Sequence, residues 1–238
     1  MNFEQVKRDF LSHKATYILV SVTTLIWLGQ FLTFGNQATS GINLFNSGAL
    51  FGPAILQDPT QFWRLITPIF IHIGWLHLLM NMLILFFIGR MIEDILGWKC
   101  FFVIYLLSGI FANAVTFFLT PNVLSAGASG AIFGLFGAVV GLGYFTEMPV
   151  FKQIGKTFAV MIVIMLLLEF FDFQTLGLSV GNVNIWAHIG GAIGGLMLAA
   201  IFPPKELKRA IPRYYKWITT SVFLLMFAAF VLLPFILH

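Results

Sequence analysis

An all-α membrane protein with seven spans is the fold class this sequence predicts, and three observations predict it. Hydrophobic residues make up 59% of the 238-residue chain and charged residues only 9%, with a mean hydropathy of +0.95. A soluble domain carries roughly 25% charged residues to solvate its surface, so most of this surface must face lipid. The apolar residues run in continuous stretches, unlike the short alternating segments of a membrane β-barrel. The basic residues fall almost entirely in alternate gaps between those stretches, as they do when charge sets topology.

A hydrocarbon core of about 30 Å needs roughly 20 apolar residues per helix. Residues 1–15 hold Lys7, Arg8 and Lys14 and read as a cytoplasmic tail. The first span, 16–34, is long for a signal peptide and is followed by no convincing small-residue cleavage site, so it is expected to be retained. Residues 35–67 form the one long loop, whose Leu44, Phe45, Leu50, Phe51, Ile55 and Leu56 fit a membrane interface. Trp63 and Arg64, near the start of the second span, suit the headgroup region. Spans two to six are expected at 68–88, 100–119, 128–145, 155–173 and 185–202. Pro203 and Pro204 end the sixth, and a basic linker, 203–216, leads to a seventh helix in 217–238. That last helix has little polar content and reads as an addition to a six-helix core, 16–202.

Charge excludes a nucleic-acid partner despite the net +4. Lys7, Arg8, Lys14, Arg90, Lys99, Lys152, Lys156, Lys205, Lys208, Arg209, Arg213 and Lys216 share one side of the predicted topology, leaving only Arg64 on the other. The N-terminus is then cytoplasmic and the C-terminus outside. Cys100 is the sole cysteine, which rules out an intrachain disulfide and a cysteine metal cluster and leaves it a packing role.

Polar groups inside a span are costly and point to function. His72, His77 and Asn81 fall in the second span within HIGWLHLLMN, Ser129 opens the fourth in Gly127-Ala128-Ser129-Gly130, and His188 lies early in the sixth. These even-numbered spans enter from the outside, so at 1.5 Å per residue all three clusters fall roughly 5–20 Å below the outer surface. Taken singly, each is commonly a helix-packing hydrogen bond; a nucleophile, a base and further donors at one depth are another matter. Gly130, Gly134, Gly137 and Gly141 make a side-chain-free stripe on the fourth helix. On the sixth, His188, Gly191 and Gly195 share a face. Small residues at this spacing let helix backbones approach closely, so a short serine can reach a histidine across the contact.

The chemistry needs those types. A serine hydroxyl is a weak nucleophile until a base takes its proton, and histidine has the pKa for it. The tetrahedral intermediate needs donors aimed at its oxyanion. Ser129 opens a helix whose first N–H groups lack intrahelical partners, and His77 and Asn81, four apart on one face, add two side-chain donors. No acid is evidently placed to orient His188; Glu169 and Asp172, near the outer end of span five, stay unassigned. The expectation is therefore a dyad, with no metal and no cofactor.

Trp63-Arg64, the His72/His77/Asn81 cluster, Gly-Ala-Ser-Gly and Ala187-His188-Ile189-Gly190-Gly191 with Gly195 resemble, in that order, the rhomboid family of intramembrane proteases. The match runs from about Trp63 to Phe202. The resemblance implies a six-helix core plus a seventh helix, with Ser129 as nucleophile and His188 as general base. It implies an oxyanion hole of His77, Asn81 and the Ser129 N–H, with His72 near the water-accessible side. It gives Arg64 and Glu93 structural roles. Where some relatives carry a tyrosine packed on the base, this chain has Phe133. The implied substrates are single-pass membrane proteins cut near the outer membrane face, at small residues; the sequence shows no organellar targeting extension, so a plasma membrane is the expected location. Two other functions are weighed against this. A metal enzyme using His72, His77 and His188 would lack the usual His-Glu-x-x-His pattern and would be chelator-sensitive. A catalytically silent client-binding relative would usually have lost the serine or the histidine. Neither the substrate nor the oligomeric state is legible.

Overall fold

The computed structural model describes residues 3–170 and 184–237. Among them are eleven α-helices and no strand beyond one isolated bridge between Leu50 and Ser125. Each of the seven predicted spans contains a helix: α2 (Lys14–Phe34), α5 (Trp75–Leu96), α6 (Trp98–Leu119), α7 (Ser129–Phe145), α8 (Pro149–Phe170), α9 (Ile185–Ile201) and α10 (Arg213–Leu232). Five of these are long and apolar enough to cross a membrane, while α7 and α9 are shorter apolar helices of 17 residues. The chain is a multi-pass, all-α membrane protein. The remaining helices are short: α1 (Phe3–Ser12), α3 (Gly41–Ser47), α4 (Gly52–Gln57) and α11 (Pro234–Leu237).

Span two differs from its expected bounds. Its helix begins at Trp75, not at 68, because Pro68 and Gly74 interrupt the apolar run and residues 67–69 close a 3-10 turn instead. His72 therefore sits in the turn before α5 rather than on its face. Span five was expected to run to 173; α8 ends at Phe170, and the outer part of that expectation, Asp172 included, lies outside the described residues.

Lipid gives helices no hydrophobic reason to associate, so packing must come from close van der Waals fit and satisfied polar groups. α7 supplies the fit: all but three of its residues are buried, and it touches α6, α8 and α9. Its contact with α9 is nearly side-chain-free. A Cβ on Gly191 would stand 1.9 Å from the Gly130 carbonyl oxygen, one on Gly195 1.8 Å from that of Gly134, and one on Gly137 2.0 Å from that of Ala192. No side chain fits at those crossings. By contrast α8 buries only Gly155 and Phe158 of its own residues, and α10 only Thr219. α10 lies against α6 and α9, with Phe223 stacked on Phe111 at 4.9 Å.

Two buried charges tie the rest together. Glu93 on α5 is 1% exposed and accepts from the Ala15 and Thr16 N–H groups at 2.9 and 2.8 Å and from the Thr16 hydroxyl at 2.7 Å. It caps the start of α2 from a neighbouring helix, where an anion also meets the positive end of the helix dipole. Arg64 is buried too, rather than reaching the headgroups. Its Nη1 donates to the Phe45 and Ala49 carbonyls at 2.8 and 2.9 Å, and its guanidinium lies 4.0 Å from the Phe45 ring centroid. It thereby folds residues 45–64 into a loop, while neighbouring Trp63 stays exposed. The loop is stitched to the segment ahead of α7 by the Leu50–Ser125 pair and by Gly52 N–H to the Pro121 carbonyl at 2.8 Å.

Candidate active site

The segment 120–128 descends to the start of α7, and Ser129 is the first residue of that helix. Its approach depends on Gly127. The Gly127 φ of +148° is a conformation that side-chain-bearing residues rarely adopt, and a Cβ there would stand 2.7 Å from Cε1 of His77. The Gly127 N–H is anchored to the Pro68 carbonyl at 2.9 Å. Glycine thus lets the chain turn into α7 directly beneath the His77 ring.

α9 is capped by Asn184, whose side chain accepts from the Trp186 N–H at 3.1 Å. One turn on, His188 is 3% exposed. Across the glycine contact its Nε2 lies 2.6 Å from Ser129 Oγ. The Phe133 ring, one turn below Ser129, stacks on the imidazole with centroids 4.3 Å apart and planes 4° from parallel. A phenyl face without a hydroxyl thus suffices to bound the ring. On the opposite edge, His188 Nδ1 lies 2.8 Å from the Glu169 carboxylate, near the end of α8.

This last contact departs from the sequence reading, which found no acid placed to orient the histidine. Spacing along one helix reports which residues share a face, and Glu169 shares none with His188; it reaches across from a different helix. The signal in the sequence is a carboxylate at the C-terminal end of a long apolar run, with Asp172 close by and no partner indicated for either.

His77 and Asn81, four residues apart, share a face of α5, and His77 lines a cleft together with Ser129. The Asn81 amide donates to the His77 carbonyl at 3.0 Å, which uses one of its two N–H bonds and leaves the other. His77 Nδ1 is buried without a hydrogen-bond partner. His72 is 0% exposed, so it does not sit at a water-accessible surface. Its ring packs 5.2 Å from that of His77, and its Nε2 lies 3.5 Å from the Ala128 N–H, behind the turn into α7. Gly130 and Gly191 form the crossing beneath the serine–histidine pair.

A small cleft opens over these groups, lined by Ile69, Ile73, His77, Asn113, Ser125, Ser129 and His188 among others. Gly109, Gly127, Gly130, Ala126, Ala131 and Ala187 make much of its wall small. Among the described residues no group of three or more histidine, cysteine, aspartate or glutamate side chains is arranged to hold a metal ion. A hydroxyl paired with an imidazole beside side-chain and helix-end donors is equipped for acyl transfer.

Comparison with known proteins points the same way. A family model described as Rhomboid domain matches residues 59–205. The rhomboid protease GluP of Bacillus subtilis is 35% identical over 191 residues, 80% of this chain and 36% of GluP. The putative rhomboid protease YdcA of the same organism is 33% identical over 150 residues, 63% of this chain and 71% of YdcA. Rhomboid-like protease 3 of Toxoplasma gondii is 31% identical over 170 residues, 71% and 61% of the two chains. The chain thus spans about a third of the length of GluP and most of that of YdcA.

Proposed function

The chain belongs to the rhomboid family, and from that membership we propose that it is an intramembrane serine protease cutting transmembrane segments of single-pass membrane proteins. What supports the reading most directly is the 2.6 Å approach of Ser129 Oγ to His188 Nε2 across a helix contact with no side chain between the backbones. The substrate's scissile peptide enters the cleft from the lipid, and the small wall residues favour small side chains beside the cut.

In the first step Ser129 Oγ bonds to the carbonyl carbon while its proton passes to His188 Nε2. The carbonyl π pair moves onto oxygen, where the Ser129 N–H, the free Asn81 N–H and His77 stabilise the charge. The C–N bond then breaks, the amine leaves with the proton from Nε2, and an acyl-enzyme remains. Water repeats the sequence with His188 as base and then acid, releasing the second product and restoring Ser129. The distribution of basic residues supports a cytoplasmic N-terminus and an outer C-terminus, and with them cleavage near the outer face of a plasma membrane.

The test is purified protein incubated with a labelled single-pass transmembrane substrate and, separately, a serine-directed fluorophosphonate. Wild type is expected to cleave and to be labelled at Ser129; Ser129→Ala and His188→Ala should do neither while inserting normally. Cleavage by Ser129→Ala would remove the serine reading. Client binding by wild type with no cleavage or labelling would favour the silent relative.

A further inference from the structure

We propose that Glu169 completes the site as a positioning residue, holding His188 in the tautomer and orientation that lets it take the Ser129 proton, so that the working unit is a Ser129–His188–Glu169 triad. The inference rests on the serine-protease reading above and extends it.

The geometry of the imidazole carries the argument. Its two nitrogens face opposite partners, Nε2 toward Ser129 Oγ at 2.6 Å and Nδ1 toward the Glu169 carboxylate at 2.8 Å. A neutral imidazole has one N–H, and the partner of one nitrogen decides where it sits. An ionised carboxylate can only accept, so the proton belongs on Nδ1 and leaves Nε2 with the lone pair that catalysis requires. The Phe133 stack, nearly parallel at 4.3 Å, fixes the plane of the ring but not its rotation within that plane. The Glu169 bond fixes that rotation. When Nε2 takes the serine proton, the imidazolium forms beside an anion that is already there; the proton stays on His188 and Glu169 remains ionised.

The setting makes the contact selective. The His188 side chain is 4% exposed and that of Glu169 20%, so the pair is only partly screened by solvent. Glu169 is also poorly explained as a packing residue. The two residues before it, Leu167 and Leu168, are exposed apolar side chains, and α8 buries nothing near that end. A carboxylate in such a run costs free energy unless it is paired, and the partner it has is the catalytic base.

Three variants in detergent and in bilayers test the proposal, with kcat, KM and the rate of fluorophosphonate labelling at Ser129 as readouts. Glu169→Gln preserves size and loses the charge. It is expected to lower kcat about 10- to 100-fold with KM within about twofold, and to slow labelling in parallel. Loss of the orienting carboxylate in a fully buried triad costs more, on the order of 10⁴-fold, and the partial exposure here moderates it. The charge-preserving Glu169→Asp should exceed Glu169→Gln in both rates, which a purely structural role would not require. Leu168→Ala, one residue away, should behave as wild type. Wild-type kcat and labelling in Glu169→Gln, a loss confined to KM, or Glu169→Asp no better than Glu169→Gln would each overturn the triad. If Ser129→Ala is inactive while Glu169→Gln is unchanged, the triad alone fails. If Ser129→Ala still cleaves, the serine reading fails first.

Discussion

Replacing Gly191 by alanine adds one methyl group and should nearly silence the protein, although residue 191 performs no chemistry. The added Cβ would stand 1.9 Å from the Gly130 carbonyl oxygen, about 1.5 Å short of the 3.4 Å at which ordinary contact begins. The obstructing atom is backbone within α7 and cannot swing aside as the end of a flexible side chain can. The two helices must therefore part or slide. Gly130 adjoins Ser129, and Gly191 lies one turn from His188, so most of that displacement reaches the 2.6 Å serine–histidine bond. Stretched by an ångström or more, it passes out of hydrogen-bonding range. Even about 1 Å of misplacement can cost on the order of 10²-fold in rate, and overpacking costs roughly 1–3 kcal/mol of stability in addition. The assay is turnover of a transmembrane substrate in bilayers, with thermal unfolding recorded alongside. Gly29→Ala is the control, since nothing lies within 4 Å of a Cβ there. A folded Gly191→Ala protein cleaving at the wild-type rate would refute the idea that this crossing sets the reacting geometry.

Two further outcomes follow from the geometry of the site and of the α2–α5 contact. His77→Ala and Asn81→Ala should each lower kcat by about 10²–10³-fold with little change in KM, because oxyanion donors act chiefly in the transition state; steady-state kinetics showing wild-type kcat in both would return the pair to a structural role. Glu93→Ala strips the acceptor from two N–H groups and a hydroxyl at the start of α2. It should destabilise the protein by roughly 3 kcal/mol, and an unchanged thermal midpoint would show that α2 is held by something else.

The spans were legible because hydropathy is a property of each helix alone, and so was the pairing of Ser129 with His188, since glycine stripes announce which faces touch. Other features depend on groups that no periodicity connects. From its position alone Arg64 reads as a headgroup cation, and only the family resemblance suggests a structural role, because its partners are the carbonyls of Phe45 and Ala49 and backbone acceptors leave no trace in a sequence. His72 read as part of a span because Ile69, Phe70 and Ile71 continue the apolar run of α5. They are buried or half-buried in turns, and hydropathy does not distinguish a buried turn from a buried helix. Glu169 has no role legible in the sequence for the same reason: its partner is on α9, not on its own helix.

The enclosure of α7 has a consequence for how hydrolysis can proceed within a membrane. A helix that faces lipid is obliged to match the bilayer, by tilting or by deforming it. α7 is ringed by α6, α8 and α9 and presents almost nothing outward, so its neighbours meet that obligation in its place. At 17 residues it spans about 25 Å, short of the roughly 30 Å hydrocarbon thickness. Ser129 is the first residue of this short helix and lines the cleft, so a shortfall at that end would leave its hydroxyl below the ends of the longer helices.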